Sequence, residues 1–554
     1  MASVEDNSDE HSTEEIGKNE VECGIERPGT RWVDWKVLWS YTGPGWLMSM
    51  AYLDPGNLES DLQAGAFAGY ELLWVLFWAT VFGLVLQVMA ARLGVVTGKH
   101  LAEVCREEYS RPVALVIFAM TQIAIIGSDI QEVVGSAIAM KVLSGGKISL
   151  VTGCLITGCD TFSFLFLQNM GMRFLEAFFC TLILIMAICF WINYGVSSPS
   201  SSSVAYGTVV PELSSYATVQ ALGLLGAVIM PHNIYLHSAL VLSRKIDRAD
   251  RTTEGSRSQA EVATACKYNA IECSIALLAS FFINLAVVAC FAQGFFSPTC
   301  APTQSACVST ALNDDDGGGA QCTSAALTIQ FPDQALPGTC RQVGLADAGE
   351  SLGVLLGSTA KYVFAVGVLA AGQASTMTGT YAGQYVMEGF LQLNIPNWQR
   401  VLVTRLCSLG PAMAVALATS GNSTAADVLD EWLNILQSVQ LPFALLPVLQ
   451  FTSSRRIMGE WRNTPFWQAV CWGLAVLVIV SNFYLVIDFI TDESNPVPHT
   501  SGFYAMAGLL GAVYFAFIVR IIKEDILDLW GWATGNPRTE EDRADLDKPL
   551  LADN

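Results

Sequence analysis

The sequence predicts an all-α polytopic membrane protein built from two inverted five-helix repeats. Of its 554 residues, 52% are hydrophobic and 14% are charged, and the mean hydropathy is +0.43, which is too apolar for a soluble enzyme. Two long apolar runs are each interrupted by a polar insert with a proline, Asp54-Pro55-Gly56-Asn57 and Met230-Pro231-His232-Asn233. Such interruptions at corresponding places in two halves of a chain indicate a carrier whose site lies at the bilayer midplane.

Apolar runs of the roughly 20 residues needed to cross a bilayer number about twelve. The predicted spans cover residues 40–68, 72–96, 112–140, 148–167, 174–194, 216–243, 267–293, 350–372, 399–420, 427–451, 465–489 and 503–521. Helices one to five and six to ten each begin with a broken segment. Because each half has an odd number of spans, the two halves have opposite orientations in the membrane.

The predicted domains follow from this layout. An acidic cytosolic tail (1–38) precedes the transporter domain (39–521), and a second acidic cytosolic tail (522–554) follows it. Within the transporter domain, the first repeat covers 39–194, the second covers 216–451, and 465–521 forms a peripheral helix pair. Much of the net charge of -21 lies in the two tails. The acidic balance, without a basic aromatic patch, argues against a nucleic-acid partner.

The orientation follows from the positive-inside bias. Lysine and arginine concentrate in the connections after the second, sixth and tenth spans, so these connections and both termini are expected in the cytosol. The opposite side then receives the hydrophilic stretch Ser297 to Gly349 and the sequon Asn422-Ser423-Thr424. Asn422 is therefore a candidate glycosylation site.

Four of the 15 cysteines lie in that hydrophilic stretch: Cys300, Cys307, Cys322 and Cys340. Four clustered cysteines in a loop predict two disulfides in an oxidising compartment, with three possible pairings that the sequence does not separate. A zinc site is the alternative, but the stretch contains neither a histidine nor a C-x-x-C spacing.

The two inserts offer a set of metal ligands. Proline has no N–H to bond the carbonyl four residues earlier, so Pro231 should free the carbonyl of Ala227. The carboxylate of Asp54, the amide of Asn57 and the thioether of Met230 complete a set suited to a transition-metal cation. Turn chemistry is the alternative reading of Asp-Pro-Gly-Asn, but a carboxylate at membrane depth is by default functional. Mg²⁺ and Ca²⁺ do not favour a thioether, so Met230 should select against them.

A proton route is predicted beside this set. His232 and His237, two of five histidines, lie in or just after the second insert. Asp129 and Glu132 are spaced i, i+3 on one face of the third span, and Arg405 in the ninth span is their candidate cationic neighbour. Structural hydrogen bonding of the histidines and structural ion pairing of the acids are the alternatives.

Several segments resemble the NRAMP family of proton-coupled divalent metal transporters. They are AYLDPGNLESDLQAGA (51–66), SDIQEVVGSAIA (128–139), GAVIMPHNIYLHSALV (226–241), GTYAGQYVMEGFL (379–391) and LNILQSVQLPFALLPVL (433–449). The resemblance implies the LeuT-like fold, with helices one and six unwound at the midplane. It also implies a metal held by Asp54, Asn57, Met230 and the carbonyl of Ala227. An amide of the tenth helix joins in the family, and Asn434 resembles it more closely than Gln437. The implied proton route runs from Asp54 through His232, Asp129 and Glu132 to Arg405.

The sequence thus predicts a secondary transporter, not an enzyme, that moves Mn²⁺ and Fe²⁺ with protons into the cytosol by alternating access. The metal ions and protons are substrates, and no cofactor is expected. A hard-cation (Mg²⁺) carrier and a non-transporting metal-sensing or signalling protein of the same fold are the alternatives. A Na⁺-coupled amino-acid carrier is disfavoured, because Asp54 would repel a substrate carboxylate.

The expected location is the plasma membrane or an endosomal or vacuolar membrane. The tail segment Asp547-Lys548-Pro549-Leu550-Leu551 fits a D-x-x-L-L signal for sorting adaptors. The remaining partners are the lipid bilayer, divalent metal ions and protons.

Overall fold

The architecture comes from a computed structural model that describes residues 21–23, 33–168, 171–246, 255–310, 320–330, 338–392, 397–418, 423–491, 498–523 and 526–527. Helices dominate this part of the chain and are accompanied by two small sheets. Eight of its helical segments are long and apolar enough to cross a membrane. The protein is an integral multi-pass membrane protein, as predicted, whereas the count of about twelve spans stays a prediction.

The helices fall into two groups along the chain. Those of the first half are α1 (Trp35–Tyr41), α2 (Pro44–Met50), α3 (Pro55–Ala68), α4 (Leu73–Thr97), α5 (Leu101–Glu108), α6 (Arg111–Leu143), α7 (Leu150–Gln168), α8 (Met172–Ser197) and α9 (Ser201–Val209). Those of the second half are α10 (Thr218–Val228), α11 (Pro231–Leu240), α12 (Gly255–Phe295), α13 (Ala325–Gln330), α14 (Leu345–Leu356), α15 (Ser358–Leu391), α16 (Asn397–Ala418), α17 (Ser423–Gln440), α18 (Pro442–Ser453), α19 (Arg455–Met458), α20 (Pro465–Thr491) and α21 (Ser501–Ile521).

Both predicted breaks are present. The first lies between α2 and α3, where Asp54 adopts an extended backbone and Pro55 starts the new helix. The second lies between α10 and α11, where Met230 is extended and Pro231 starts the new helix. In each case the proline occupies the first position of the new helix, which does not need its N–H, so the missing bond is the one to the carbonyl four residues earlier.

Helix α12 satisfies backbone carbonyls that the first break exposes. The Ser280 hydroxyl donates to the carbonyl of Ser49 at 2.9 Å, and the Asn284 side-chain amide donates to the carbonyl of Tyr52 at 2.8 Å. A carbonyl without a partner at membrane depth costs several kcal/mol, so the Asn284 amide stabilises the break. The Ser49 carbonyl also accepts the N–H of Tyr52, and the Ser280 hydroxyl is its second donor.

Two predicted spans differ from the structure. The predicted eighth span, 350–372, is divided at Gly357 between α14 and α15, and α15 continues to Leu391. Its second half is rich in hydroxyl-bearing residues that are buried inside the protein, among them Ser375, Thr376 and Thr378. These residues lower the hydropathy of the sequence after 372 although they face protein and not lipid. The predicted span therefore ends before the helix does. The predicted tenth span, 427–451, contains a turn before Pro442, which begins α18, but Trp432–Ser453 forms one segment that is long and apolar enough to cross a membrane.

The last two helices lie at the periphery. Their apolar side chains are largely exposed outside the protein interior, including Val480, Ile487, Leu509 and Val513. Apolar residues around most of a helix surface are typical of contact with lipid.

Two sheets tie segments outside the helices together. Strand β1 (Val21–Glu22) pairs in parallel with β2 (Arg244–Lys245), with Val21 opposite Arg244. Strands β3 (Ala306–Ser309), β4 (Gln321–Cys322) and β5 (Gly338–Arg341) form an antiparallel sheet in the order β3-β5-β4.

The cysteine-rich segment contains two disulfides, as predicted. Cys300 is bonded to Cys340 and Cys307 to Cys322, which selects one of the three pairings that the sequence left open. The sulfurs of Cys300, Cys307 and Cys322 lie within 4.8 Å of one another. Because each of them is already in a disulfide, none is available as a thiolate ligand for zinc.

A buried ionic network holds the start of α2. The Arg244 side chain is fully buried, pairs with Glu176 at 2.7 Å and donates to the carbonyl of Thr42 at 2.7 Å. The Glu272 carboxylate on α12 accepts the backbone N–H groups of Gly43 at 2.6 Å and Gly45 at 3.0 Å. A carboxylate at a helix N-terminus supplies acceptors for N–H groups that have no partner within the helix.

Replacing this cap tests its contribution to stability. Glu272→Ala is expected to destabilise the protein by about 1–3 kcal/mol, because buried N–H groups at the start of α2 lose their acceptor. The measurement is the thermal unfolding midpoint in detergent, followed by intrinsic fluorescence. Glu460→Ala is the control, since Glu460 is exposed. Equal midpoints for Glu272→Ala and wild type would contradict the capping role.

Candidate functional site

Asp54 and Asn57 form a hydrogen-bonded pair at the first break. One oxygen of Asp54, Oδ1, accepts the backbone N–H of Asn57 at 2.9 Å and the Asn57 side-chain amide at 2.6 Å. Asn57 Nδ2 also lies within hydrogen-bond distance of the Ala51 carbonyl, at 3.3 Å. The turn chemistry considered from sequence is therefore real, but it uses only one carboxylate oxygen.

The other side-chain oxygens of this pair are unused. Asp54 Oδ2 and Asn57 Oδ1 are buried and have no hydrogen-bond partner among the residues that the structure describes. Asp54 has no ion-pair partner among them either. A buried carboxylate oxygen without a donor is costly unless a cation approaches it. The first break thus offers two free oxygen ligands.

The second break offers a sulfur and a carbonyl. Met230 and Ala227 are both buried, at 2% and 0% exposure. Met230 is the N-cap residue of α11, and Ala227 lies in the last turn of α10, four residues before Pro231. Proline cannot donate to the Ala227 carbonyl, so the α-helical bond from position 231 is missing. Helix α10 packs against α3, which brings the two broken spans side by side.

A buried amide network connects α3, α6 and α17. The Gln131 amide nitrogen donates to Asn434 Oδ1 at 2.9 Å, and the Asn434 amide nitrogen donates to the Ser60 hydroxyl at 3.2 Å. The Gln437 amide nitrogen donates to Gln131 Oε1 at 2.5 Å. Both ends of the Asn434 amide are thus engaged, whereas Gln437 Oε1 has no partner among the described residues.

Gln131 is a central residue that the sequence reasoning missed. It lies between the two acids Asp129 and Glu132, which drew attention because charges are rare in membrane spans. Its amide also faces the first break, because a Cβ on Gly56 would lie 2.8 Å from Gln131 Oε1. An uncharged amide at membrane depth also needs partners, and that signal was available in the sequence.

The two histidines occupy different surroundings. His232 follows Pro231 in α11, is buried, and its Nδ1 has no partner among the described residues. His237 Nδ1 lies 3.0 Å from Gln87 Oε1 on α4, and Gln87 Nε2 lies 3.5 Å from the Tyr52 hydroxyl. His237 is therefore connected through α4 to the first break.

Asp129 and Glu132 share one face of α6, against α15. Both side chains are buried, and the Ser128 hydroxyl donates to Glu132 Oε1 at 3.1 Å. The opposing residue on α15 is Gly379: a Cβ there would lie 2.8 Å from Asp129 Oδ1 and 3.4 Å from both Glu132 carboxylate oxygens. Glycine at this position lets the backbone of α15 come close to both acids.

Two predicted residues cannot be placed. The Arg405 side chain lies outside the described part of the chain, although its helix α16 packs against α6, the helix of the two acids. Asn422 is also outside the described residues.

Comparisons with known proteins show what the whole chain is similar to. The family described as "Natural resistance-associated macrophage protein-like" (Nramp) matches residues 45–488. The chain is 50% identical over 470 residues to a metal transporter nramp1 homolog of Dictyostelium discoideum, covering 84% of this chain and 78% of that protein. It is 44% identical over 512 residues to metal transporter Nramp3 of Arabidopsis thaliana, covering 92% and 91% of the two chains.

A solved structure is also similar. A variant of the manganese transporter of Eremococcus coleocola superposes with a TM-score of 0.69 at 28% identity, covering 91% of this chain and 96% of that one. The similarity confirms the predicted all-α, LeuT-like fold class. The relatives are metal transporters rather than enzymes, in agreement with the expected class of protein.

The contact at Gly379 gives a testable prediction. Gly379→Ala is expected to destabilise the protein by about 1–3 kcal/mol, because the added methyl group overpacks the interface with Asp129 and Glu132. Gly410→Ala on α16 is the matched control, since a Cβ at Gly410 meets no atom within 4 Å. The measurement is the thermal midpoint in detergent, and a Gly379→Ala midpoint equal to or above that of Gly410→Ala would contradict the close approach.

Proposed function

Because the chain belongs to the Nramp family of metal transporters, we propose that it is a secondary transporter that carries Mn²⁺ and Fe²⁺ with protons into the cytosol. The observation that carries this proposal is the buried, unpartnered pair of oxygens, Asp54 Oδ2 and Asn57 Oδ1, at the first of two adjacent helix breaks. These two oxygens are costly while they have no partner, and a cation that approaches them offsets that cost.

Four groups make up the proposed metal site. Asp54 supplies the anionic oxygen, Asn57 an amide oxygen, Ala227 a carbonyl oxygen and Met230 a thioether sulfur. Mixed oxygen and sulfur ligands favour first-row transition metals over Mg²⁺ and Ca²⁺. An amide of α17 is proposed as a further ligand. Asn434 is fully engaged with Gln131 and Ser60, so in this conformation Gln437 has the unpartnered oxygen.

The proposed proton route begins at Asp54, which links the two substrates. A metal ion next to a carboxylate favours the ionised form, so metal loading coincides with release of a proton. His232 is the proposed next acceptor, followed by Asp129 and Glu132 on α6 and by Arg405 on α16. His237 is a proposed side branch, because it contacts Gln87 on α4.

Alternating access is proposed to use the two broken spans. The ionic network around Glu272 and Arg244 holds the start of α2. A movement of α2 would require it to leave the Glu272 carboxylate and Arg244 to leave the Thr42 carbonyl. Both contacts are hydrogen bonds that water can replace, so the barrier is compatible with a transport cycle.

Two other functions would fit the same fold. A hard-cation carrier would have no use for the thioether of Met230, and a metal-sensing or signalling protein would bind metal without moving it. The location is proposed as a plasma, endosomal or vacuolar membrane, with both termini cytosolic and sorting adaptors at the C-terminal tail. The disulfide-bonded segment on the opposite side supports that orientation, since disulfides persist in oxidising compartments.

Uptake of Mn²⁺ into proteoliposomes tests the central claim. Wild type should take up Mn²⁺ faster with an inward proton gradient and should resist competition by excess Ca²⁺. In Met230→Ala, Ca²⁺ should inhibit Mn²⁺ uptake at about a tenfold lower concentration, because the thioether no longer favours Mn²⁺ over Ca²⁺ by ~1.4 kcal/mol. Asp54→Asn should abolish uptake.

The matched control for this assay is Met186→Ala, which truncates a buried methionine on α8 outside the proposed site. It should leave the competition by Ca²⁺ unchanged. Wild type that moves no Mn²⁺ would refute transport and leave a sensor, and wild type that is fully blocked by Mg²⁺ would indicate a hard-cation carrier.

The proton route gives a separate prediction. Glu132→Gln should lower the number of protons moved per Mn²⁺, because an amide at this position cannot take up and release a proton. The measurement combines Mn²⁺ uptake with a pH-sensitive dye inside the same vesicles. Asp488→Asn on the peripheral helix α20 is the control. An unchanged ratio in Glu132→Gln would remove this residue from the route.

A further inference from the structure

Asp61 is a buried carboxylate on α3 that the proposed mechanism does not use. Its exposure is 0%, and neither of its oxygens has a hydrogen-bond partner or an ion-pair partner among the described residues. Its neighbour Glu59 differs, because that carboxylate accepts the N–H of Leu345 and the Gln63 amide, the latter at 2.7 Å. Glu59 therefore has a structural role, whereas no contact with the described part of the chain gives Asp61 one.

The position of Asp61 relates it to the first break. It follows Asp54 by seven residues, which is two helical turns and about 10 Å along the axis. Asp54, Asn57 and Asp61 thus lie on one face of α3. The two carboxylates interact electrostatically but are too far apart to bind the same ion.

Helix α12 brings a second unpartnered oxygen to this face. The two helices run in the same direction, since Gly45 lies against Cys273 and Gly65 lies against Val288, where a Cβ would be 2.3 Å from the Val288 carbonyl. One turn before Gly65 is Asp61, and one turn before Val288 is Asn284. Asn284 Nδ2 is bonded to Tyr52, and its Oδ1 has no partner among the described residues.

Asp61 lies on the side of the cysteine-rich segment. Strand β3 and helix α14 both pack against α3, and Glu59 bonds the first residue of α14. Asp61 is farther from the break than Glu59. Under the proposed orientation, an ion coming from outside would meet Asp61 before Asp54.

We propose that Asp61, with Asn284 on the facing helix, forms a second divalent-cation site on the outer side of the Asp54 site. A buried carboxylate without donors costs several kcal/mol, and a cation offsets that cost. The two residues offer oxygen only, so this site accepts hard ions as well as Mn²⁺, and selection is left to Met230. The inference rests on the proposed function, because it assumes that metal ions pass along α3.

Equilibrium binding of Mn²⁺ to the full-length protein in detergent tests this site. Asp54→Asn is expected to keep one Mn²⁺ of weaker affinity, and Asp54→Asn combined with Asp61→Asn is expected to bind none. In the transport assay, Asp61→Asn alone should raise the KM for Mn²⁺ about tenfold while keeping most of the maximal rate. Electron paramagnetic resonance of free Mn²⁺ gives the bound fraction directly.

A conservative replacement guards against misfolded variants. Asp61→Glu in the Asp54→Asn background keeps a carboxylate in the outer site and should retain the Mn²⁺ that Asp61→Asn loses. Glu59→Gln in the same background is the matched control and should leave the bound count unchanged, because that carboxylate is already engaged by Leu345 and Gln63.

The outcomes separate this inference from the proposed function. Wild type that binds no Mn²⁺ would refute both. Wild type that binds Mn²⁺ and loses all of it in Asp54→Asn would overturn the outer site and leave the proposed function intact. A KM for Mn²⁺ in Asp61→Asn equal to that of wild type would likewise overturn it.

Discussion

The interruption of two membrane helices by proline is the constraint on which the remaining structure depends. Pro55 and Pro231 each start a new helix, and the backbone before them cannot complete its helical hydrogen bonds. In lipid this arrangement is tolerated only if other groups replace those bonds. Ser280 and Asn284 on α12 do so at the first break, which explains why α12 lies so closely along α2 and α3. The same unfinished backbone places a carbonyl and two side-chain oxygens where a metal ion can use them.

Much of this arrangement could be predicted from sequence, because a proline and a carboxylate inside an apolar run have few explanations. Asp54, Asn57 and Met230 were found in this way, and all three are buried at the breaks. The tertiary partners could not be predicted. An amide at position 131 could have been noticed in the sequence, but its partners Asn434 and Gln437 are known only from the structure. The disulfide pairing also depends on the register of β3, β4 and β5, which no spacing of cysteines reveals.

Arg244 shows a second limit of sequence reasoning. It lies in a connection that the positive-inside bias assigns to the cytosol, and its side chain is fully buried, paired with Glu176 and hydrogen-bonded to the Thr42 carbonyl. A count of charges in a connection gives the side of the membrane but not the depth of an individual side chain. The predicted eighth span ends before α15 does for a related reason. A hydropathy scale assumes that the side chains of a span face lipid, whereas the hydroxyl-bearing residues of α15 are buried in protein.

The short parallel ladder between β1 and β2 has a mechanical consequence. Arg244, at the start of β2, follows α11 within a few residues and stands opposite Val21 in the ladder. Strand β1 is therefore paired directly with the residues that follow α11. A displacement of α11 would either move β1 with it or separate a two-residue ladder, which has very few hydrogen bonds to lose. Separating β1 from β2 therefore requires little free energy.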